Sequence, residues 1–224
     1  YPGLAESQIG GWPGATGLAA DVRAYGRWLR EQAQERIGKH YPDAEGHRVI
    51  GWIWARTVAC PNPACRIDMP LVRSWWLSKK KGKEAYVVPR LLGDPAHRSG
   101  LGVSYEIVTG PGAGTAKVEE GTVSGRTGAV CISCGSIASV DYLRGKGRAG
   151  LLGQQLLATV AEGNRRRVYL APSSDQVLAA HIARREVISG DMADNPRWFS
   201  PPGYGLTGFN DVFTARQLVA LEAF

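Results

Sequence analysis

Four cysteines stand as two close pairs, Cys60 with Cys65 in a C-x4-C spacing and Cys131 with Cys134 in C-x2-C, followed at once by Gly135. A short loop with two thiolates can aim both sulfurs at one point. Two such loops complete a tetrahedron around Zn2+, whose Zn–S bonds are about 2.3 Å long. Gly135 suits a backbone that folds tightly beneath a metal, and Pro61 and Pro63 stiffen the longer loop. The pairs are 65 residues apart (66–130), against roughly 15–20 in the commonest ribbon spacing. Closure entropy rises only slowly with loop length, so a sheet inserted between the pairs is permitted. Four thiolates leave no open coordination position, which makes this a folding site and not a catalytic one. Arg56 and Arg66 stand close enough in sequence to offset part of its negative charge. Two other readings stay open. A redox C-x2-C needs a strand–helix context, whereas Ile137–Tyr142 reads as strand. Disulfides need an oxidising compartment, and no basic-then-apolar signal segment opens the chain.

A second group of residues has a different chemistry. Lys79, Lys80, Lys81 and Lys83, with Arg73, Trp75 and Trp76 just before them, have the make-up of a phosphate-contacting hairpin with stacking aromatics. The alternative is that a tryptophan packs in the core and the lysines blunt an exposed hairpin. Arg165-Arg166-Arg167 reads as a solvated turn. The balance of 27 Lys+Arg against 20 Asp+Glu gives a net charge of +7, which favours an anionic partner without identifying one.

No catalytic constellation is present. Ser200-Pro201-Pro202-Gly203-Tyr204 resembles the (D/N/S)-P-P-(Y/F/W) signature of amino-methyltransferases, but Gly203 stands where the aromatic residue belongs, so a Pro-Gly turn is expected. Gly110–Gly114 lacks the G-x-G-x-x-G spacing of a nucleotide loop. His40, His47, His97 and His181 are scattered, with no neighbouring nucleophile or carboxylate pair.

The elements that position these groups follow from periodicity. The chain has 224 residues with 44% hydrophobic content, enough for a buried core and too apolar for wholesale disorder. No apolar stretch reaches the roughly 18 residues of a membrane span, and a cytoplasmic location with reduced thiols is expected. Leu18, Val22, Tyr25, Leu29, Ala33 and Ile37 recur at three or four residues, which predicts an amphipathic helix from Gly17 to about His40, stopped by Tyr41-Pro42. Val49–Val58, Pro70–Leu77 and Ala85–Val88 read as strands, the last two joined by the lysine-rich turn. Val103–Val108 and Ala116–Val123 are weaker strand candidates. Leu152, Leu156 and Val160 predict a helix over Arg148–Ala161. A strand over Arg167–Ala171 follows, then a helix from Ser174 to about Ile188. After an irregular Gly190–Gly208, Thr214 and Gln217 form a capping-box pattern that opens a final helix. The expected class is α+β in three parts. An opening loop and amphipathic helix cover 1–47. A zinc-ribbon-like antiparallel β domain with a long insertion covers 48–143. A small α/β segment ending in a truncated helix covers 144–224. The chain opens on Tyr1, not Met, and closes on Phe224 inside a helical pattern, and is read as an excised piece of a longer protein.

Several segments, in order, resemble a known family. Val58–Cys65, Met69–Lys81, Ala161–Arg165 with Val168-Tyr169-Leu170, Tyr204-Gly205-Leu206 and Phe213–Leu218 are similar to the middle of large bacterial and archaeal proteins described as adenine-specific DNA methylases containing a zinc ribbon. Tyr25-Gly26-Arg27-Trp28 fits as well. The resemblance implies S-adenosylmethionine-dependent methyl transfer to the adenine exocyclic amine, usually on a flipped base. The family's cofactor motif would precede Tyr1 and its D-P-P-Y motif would follow Phe224. This chain then corresponds to the region between them, and S-adenosylmethionine belongs to the parent protein only. Cys60, Cys65, Cys131 and Cys134 carry over as zinc ligands. The expectation is a zinc-binding domain that helps position DNA for a flanking methyltransferase core. The alternative is a protein–protein or interdomain docking module with a structural zinc and no nucleic-acid contact.

Overall fold

The computed structural model describes residues 15–93, 102–110, 116–125, 127–195, 197 and 199–224. Most of the expected opening loop, His97 and residues 111–115 of the glycine-rich run lie outside the described residues. The class is α+β, with helices packed around antiparallel sheets.

Helix α1 spans Ala15–Ile37 and tightens into a 3-10 turn at Gly38–His40 before Tyr41 and Pro42. Strand β1 is Val49–Ala59, and β2 is Asp68–Leu71. The inserted strands are β3 (Trp76–Ser78), β4 (Ala85–Leu92) and β5 (Gly102–Thr109). A single helical turn, α2 (Ala116–Glu119), precedes the short strands β6 (Val123–Ser124), β7 (Gly128–Val130) and β8 (Ile137–Ala138). Helix α3 (Val140–Arg148), strands β9 (Gly153–Gly163) and β10 (Arg166–Leu170), and helices α4 (Ser174–Ala180) and α5 (Ala215–Ala223) complete the order.

Three antiparallel sheets result, with strand orders β10-β9-β1-β2, β3-β4-β5 and β6-β7-β8. The first is the backbone of the molecule, since β1 pairs with β9 from Val49↔Ala161 to Thr57↔Gly153 and with β2 from Arg56↔Leu71 to Ala59↔Asp68. Residues from 144–224 and from 48–143 thus share one sheet. One apolar cluster joins Val58, Ile67, Met69, Ala129, Ala138 and Leu143 to the buried cysteines. A second packs Ala55, Trp75, Val87, Tyr105, Val118 and Leu157 between the central and inserted sheets.

Four expected elements differ from the structure. Arg148–Ala161 is not a helix: α3 ends at Arg148 and most of the segment is β9. Leu156, Leu157, Ala158, Thr159 and Ala161 are all buried, because β9 lies between β10 and β1 with both faces covered. A strand of that kind shows a continuous apolar run in place of alternation. Ile137–Tyr142, expected as strand, is strand only at β8; the Ser139 side chain then accepts from the Tyr142 amide and caps α3. Pro70–Leu77 splits into β2 and β3, with Val72–Trp75 carrying the chain from one sheet to another. Ala116–Val123 begins as α2, and only Val123 lies in a strand.

Two helices differ in extent or exposure. The helix from Ser174 stops at Ala180, and Ser173 is its N-cap. Helix α1 is placed as expected, but only the C-terminal part of its expected apolar face is covered. Ala24, Ala33 and Ile37 are buried, whereas Leu18, Val22 and Leu29 are 69%, 61% and 39% exposed. Its main helical neighbour is α5, and one helix covers only a narrow strip of another.

Candidate metal centre

The two cysteine pairs sit in turns at the ends of separate hairpins. Cys60 directly follows β1, and its amide donates to the Ile67 carbonyl at 2.8 Å, which brings the chain back into β2. Between them Asn62 folds the loop. Its side-chain oxygen accepts from the Ala64 amide at 3.0 Å, and its carbonyl accepts from the Cys65 and Arg66 amides. Arg66 takes a left-handed φ of 50° to leave the turn. The second loop repeats the plan between β7 and β8, with the Cys131 amide on the Ser136 carbonyl at 2.9 Å and the Gly135 amide on the Cys131 carbonyl at 3.0 Å. Gly135 has φ of 73°, a conformation that glycine adopts without the Cβ penalty.

The four sulfurs converge. Cys60 Sγ lies 3.5 Å from Cys134 Sγ, Cys65 Sγ lies 3.9 Å from Cys131 Sγ, and all four are within 4.8 Å of one another. A tetrahedron with bonds of about 2.3 Å has sulfur–sulfur edges of about 3.8 Å, so the donor set fits one tetrahedral ion. The separations are well beyond the roughly 2.05 Å of a disulfide, and all four thiols are free. Cys60, Cys65 and Cys131 are buried and Cys134 is half-buried.

Burial pushes the Cys60 and Cys131 thiols up from their ordinary range. Burial acts on Cys134 in the same direction, but hydrogen bonding with the Ser136 hydroxyl, 3.2 Å from Sγ, with the Ser136 backbone and with the Cys60 and Cys131 thiols prevails and brings it to about 6. Four thiols in one buried cluster are unfavourable as anions without a cation. A soft divalent metal would supply that charge, held by Cys60, Cys65, Cys131 and Cys134. Arg56 does not serve the site: its Nη2 donates to the Asp211 carbonyl at 2.8 Å.

The basic hairpin is also formed. Its tip closes with the Lys83 amide on the Lys80 carbonyl at 2.8 Å and Gly82 at φ 73°. Lys80, Lys81, Lys83 and Arg73 have exposed side chains. Lys79 is engaged, since its Nζ is 2.6 Å from Glu119 Oε2 while Trp76 Nε1 donates to Glu119 Oε1 at 3.0 Å. That lysine holds the Glu119 carboxyl below its ordinary range. Trp75 is 7% exposed and belongs to the core; Trp76 meets Tyr86 edge-on at 5.7 Å. Neither tryptophan is a free stacking platform. Arg165–Arg167 lie exposed at the β9–β10 turn.

The Ser200–Tyr204 segment is structural. Pro201–Tyr204 forms a 3-10 turn against α3, where a Cβ on Gly147 would lie 2.0 Å from the Tyr204 carbonyl oxygen.

Sequence reasoning missed Arg216. It is 2% exposed, with its guanidinium 4.2 Å from the Trp52 ring centroid, 5.0 Å from Tyr41 and 5.9 Å from Trp54. Its Nη1 donates to the His40 carbonyl at 3.1 Å, and the Tyr41 hydroxyl donates to the Arg216 carbonyl at 2.9 Å. This cation–aromatic clasp ties α5 to the end of α1 and to β1. No local signal marks it, because its partners are about 160 to 175 positions away in the chain.

Comparison with protein-family profiles, curated proteins and solved structures finds no match for this chain. Among the described residues, no helix is long and apolar enough to cross a membrane.

Proposed function

We propose that this chain is a zinc-stapled nucleic-acid-binding region of an adenine-specific DNA methylase of the zinc-ribbon kind, positioning DNA for a catalytic core elsewhere in the parent protein. The observation that carries the zinc part is the convergence of four sulfurs within 4.8 Å. A metal there ties the β1–β2 hairpin to the β7–β8 hairpin and holds the inserted sheet between them. DNA contact is supported by Lys80, Lys81 and Lys83 at an exposed hairpin tip, with Arg73 also exposed and a net charge of +7. The methylase assignment rests on the sequence resemblance alone. In this reading the chain transfers no methyl group by itself.

The test is salt-dependent binding to duplex DNA by the metal-loaded protein. Lys80, Lys81 and Lys83 changed together to Ala should flatten the slope of log K against log salt by about 2.7, at about 0.9 per phosphate contact, with the thermal melt unchanged. Unchanged affinity and slope would sink the hairpin assignment.

A specific observation also favours the docking reading. Leu18, Val22 and Leu29 on α1, and Leu221 and Phe224 at α5, are exposed, and the two helices are neighbours. Loss of DNA binding at all salt concentrations in the unmodified protein would favour that reading.

A further inference from the structure

A cavity of about 520 Å3 opens where β5 meets the β1–β9 sheet beneath α4 and the start of α5. Its size falls within the roughly 300–1,000 Å3 of small-molecule sites. Trp54, Ser104, Tyr105, Gln154, Gln155 and His181 supply its aromatic and polar lining, and the remainder is apolar. No Lys, Arg, Asp or Glu lines it.

The polar groups fall on two sides of β9, with Gln154 on the face of Trp54 and Gln155 on the face of Tyr105, and they are only partly used. The Tyr105 hydroxyl donates to Gln155 Oε1, which fixes the Gln155 amide and leaves its Nε2 as a donor. Tyr105 itself is 7% exposed, so this pair is rigidly set at the cavity wall. The side chains of Ser104, Gln154 and His181 make no hydrogen bond to another described residue. A carboxamide offers an acceptor and a donor side by side, a pattern complementary to the edge of a heterocycle that carries both. The Trp54 indole, which carries the Arg216 guanidinium 5.9 Å from its centroid, adds a ring against which a second planar group can stack.

We propose that this cavity binds an uncharged nucleobase ring, stacked on Trp54 and read along its edge by Gln154, which the β1–β9 register places on the same face of the sheet. The occupant is recognised without its phosphates, which sets it apart from the lysine hairpin. It goes beyond the DNA-positioning reading and does not depend on it. A free nucleoside and an unpaired base in a strand share this chemistry.

The experiment is calorimetric titration of the intact, metal-loaded chain with adenosine, guanosine, cytidine and uridine, and with indole as a ring lacking the mixed edge. At least one nucleoside should bind saturably and more tightly than indole. Ala180→Trp, which fills the cavity from α4, should abolish that binding without altering the melt. Gln154→Leu on the outer wall should weaken it about tenfold, the worth of a lost hydrogen bond.

A short oligonucleotide with one unpaired base, titrated in parallel, separates the two sources. Saturable nucleoside binding that is insensitive to salt marks the free ligand. Binding of the oligonucleotide alone, lost on Ala180→Trp, marks a base in a strand. Indole binding as tightly as every nucleoside, ligand binding that survives Ala180→Trp, or the absence of any binding at millimolar concentration would each overturn the proposal. The lysine-hairpin variants should leave nucleoside binding unchanged, so failure of one idea is distinguishable from failure of the other.

Discussion

Removing the metal is the most informative perturbation, because the candidate centre staples the β1–β2 hairpin to the β7–β8 hairpin at the heart of one apolar cluster. Cys65 and Cys131 close a loop that holds residues 66–130. With about 65 residues in the loop, the chain-entropy relation gives a stabilisation of about 4 kcal/mol for that single cross-link. The cluster of Val58, Ile67, Met69, Ala129, Ala138 and Leu143 forms around the same sulfurs, so its burial is at risk together with the cross-link. A structural Zn2+ binds with about 10–16 kcal/mol, comparable to or above the roughly 5–15 kcal/mol that hold a domain folded. The expectation is therefore a large loss. Counting the cross-link alone, at about 2–4 °C per kcal/mol for a chain of this size, chelation or Cys131→Ser should lower Tm by about 8–16 °C. The assay is metal analysis of the purified chain followed by circular-dichroism melts with and without chelator. About one metal ion per chain is expected. A metal-free protein that melts within about 2 °C of the loaded one, with the same cooperativity, would refute the reasoning.

Further expectations follow from individual contacts. Burial pushes the Cys60 and Cys131 thiols up, so both are protonated at neutral pH and a metal must displace both protons. With two protons as the minimum displaced, zinc affinity should fall at least about a hundredfold for each unit that pH drops below neutral, read by competition with a chromogenic chelator; a slope of one proton or fewer would contradict the site. Gly147→Ala places a Cβ 2.0 Å from the Tyr204 carbonyl oxygen, backbone against backbone, and should cost about 1–3 kcal/mol, seen as a lower denaturation midpoint. Arg216→Lys keeps the charge but loses the planar group lying 4.2 Å from the Trp52 centroid; a loss of about 1–2 kcal/mol is expected in urea melts. Thr214 accepts from the Gln217 amide at 3.2 Å, so Thr214→Ala should cost about 1 kcal/mol, and an unchanged midpoint would show that α5 does not depend on its cap.

What the sequence alone determined rests on short-range rules. Cysteine spacing within each pair, Gly135 after the second pair, the helix that stops before Pro42, the lysine turn and the Thr214–Gln217 capping box all act over a few residues. Their physics is written in neighbours along the chain. The tertiary structure decided the rest. Leu152, Leu156 and Val160 satisfy a helical period and a doubly covered strand equally well, and only pairing of β9 with β1 and β10 selects the strand. Trp75 rather than Trp76 enters the core because β2 ends at Leu71 and the chain crosses to a second sheet. The Leu18–Val22–Leu29 stripe stays exposed although its spacing is that of a core face, and Arg216 is buried although its type favours the surface. In each case the deciding partner lies far away in sequence. Local patterns state what a segment can bury, while the surface available to bury it exists only once distant segments have met.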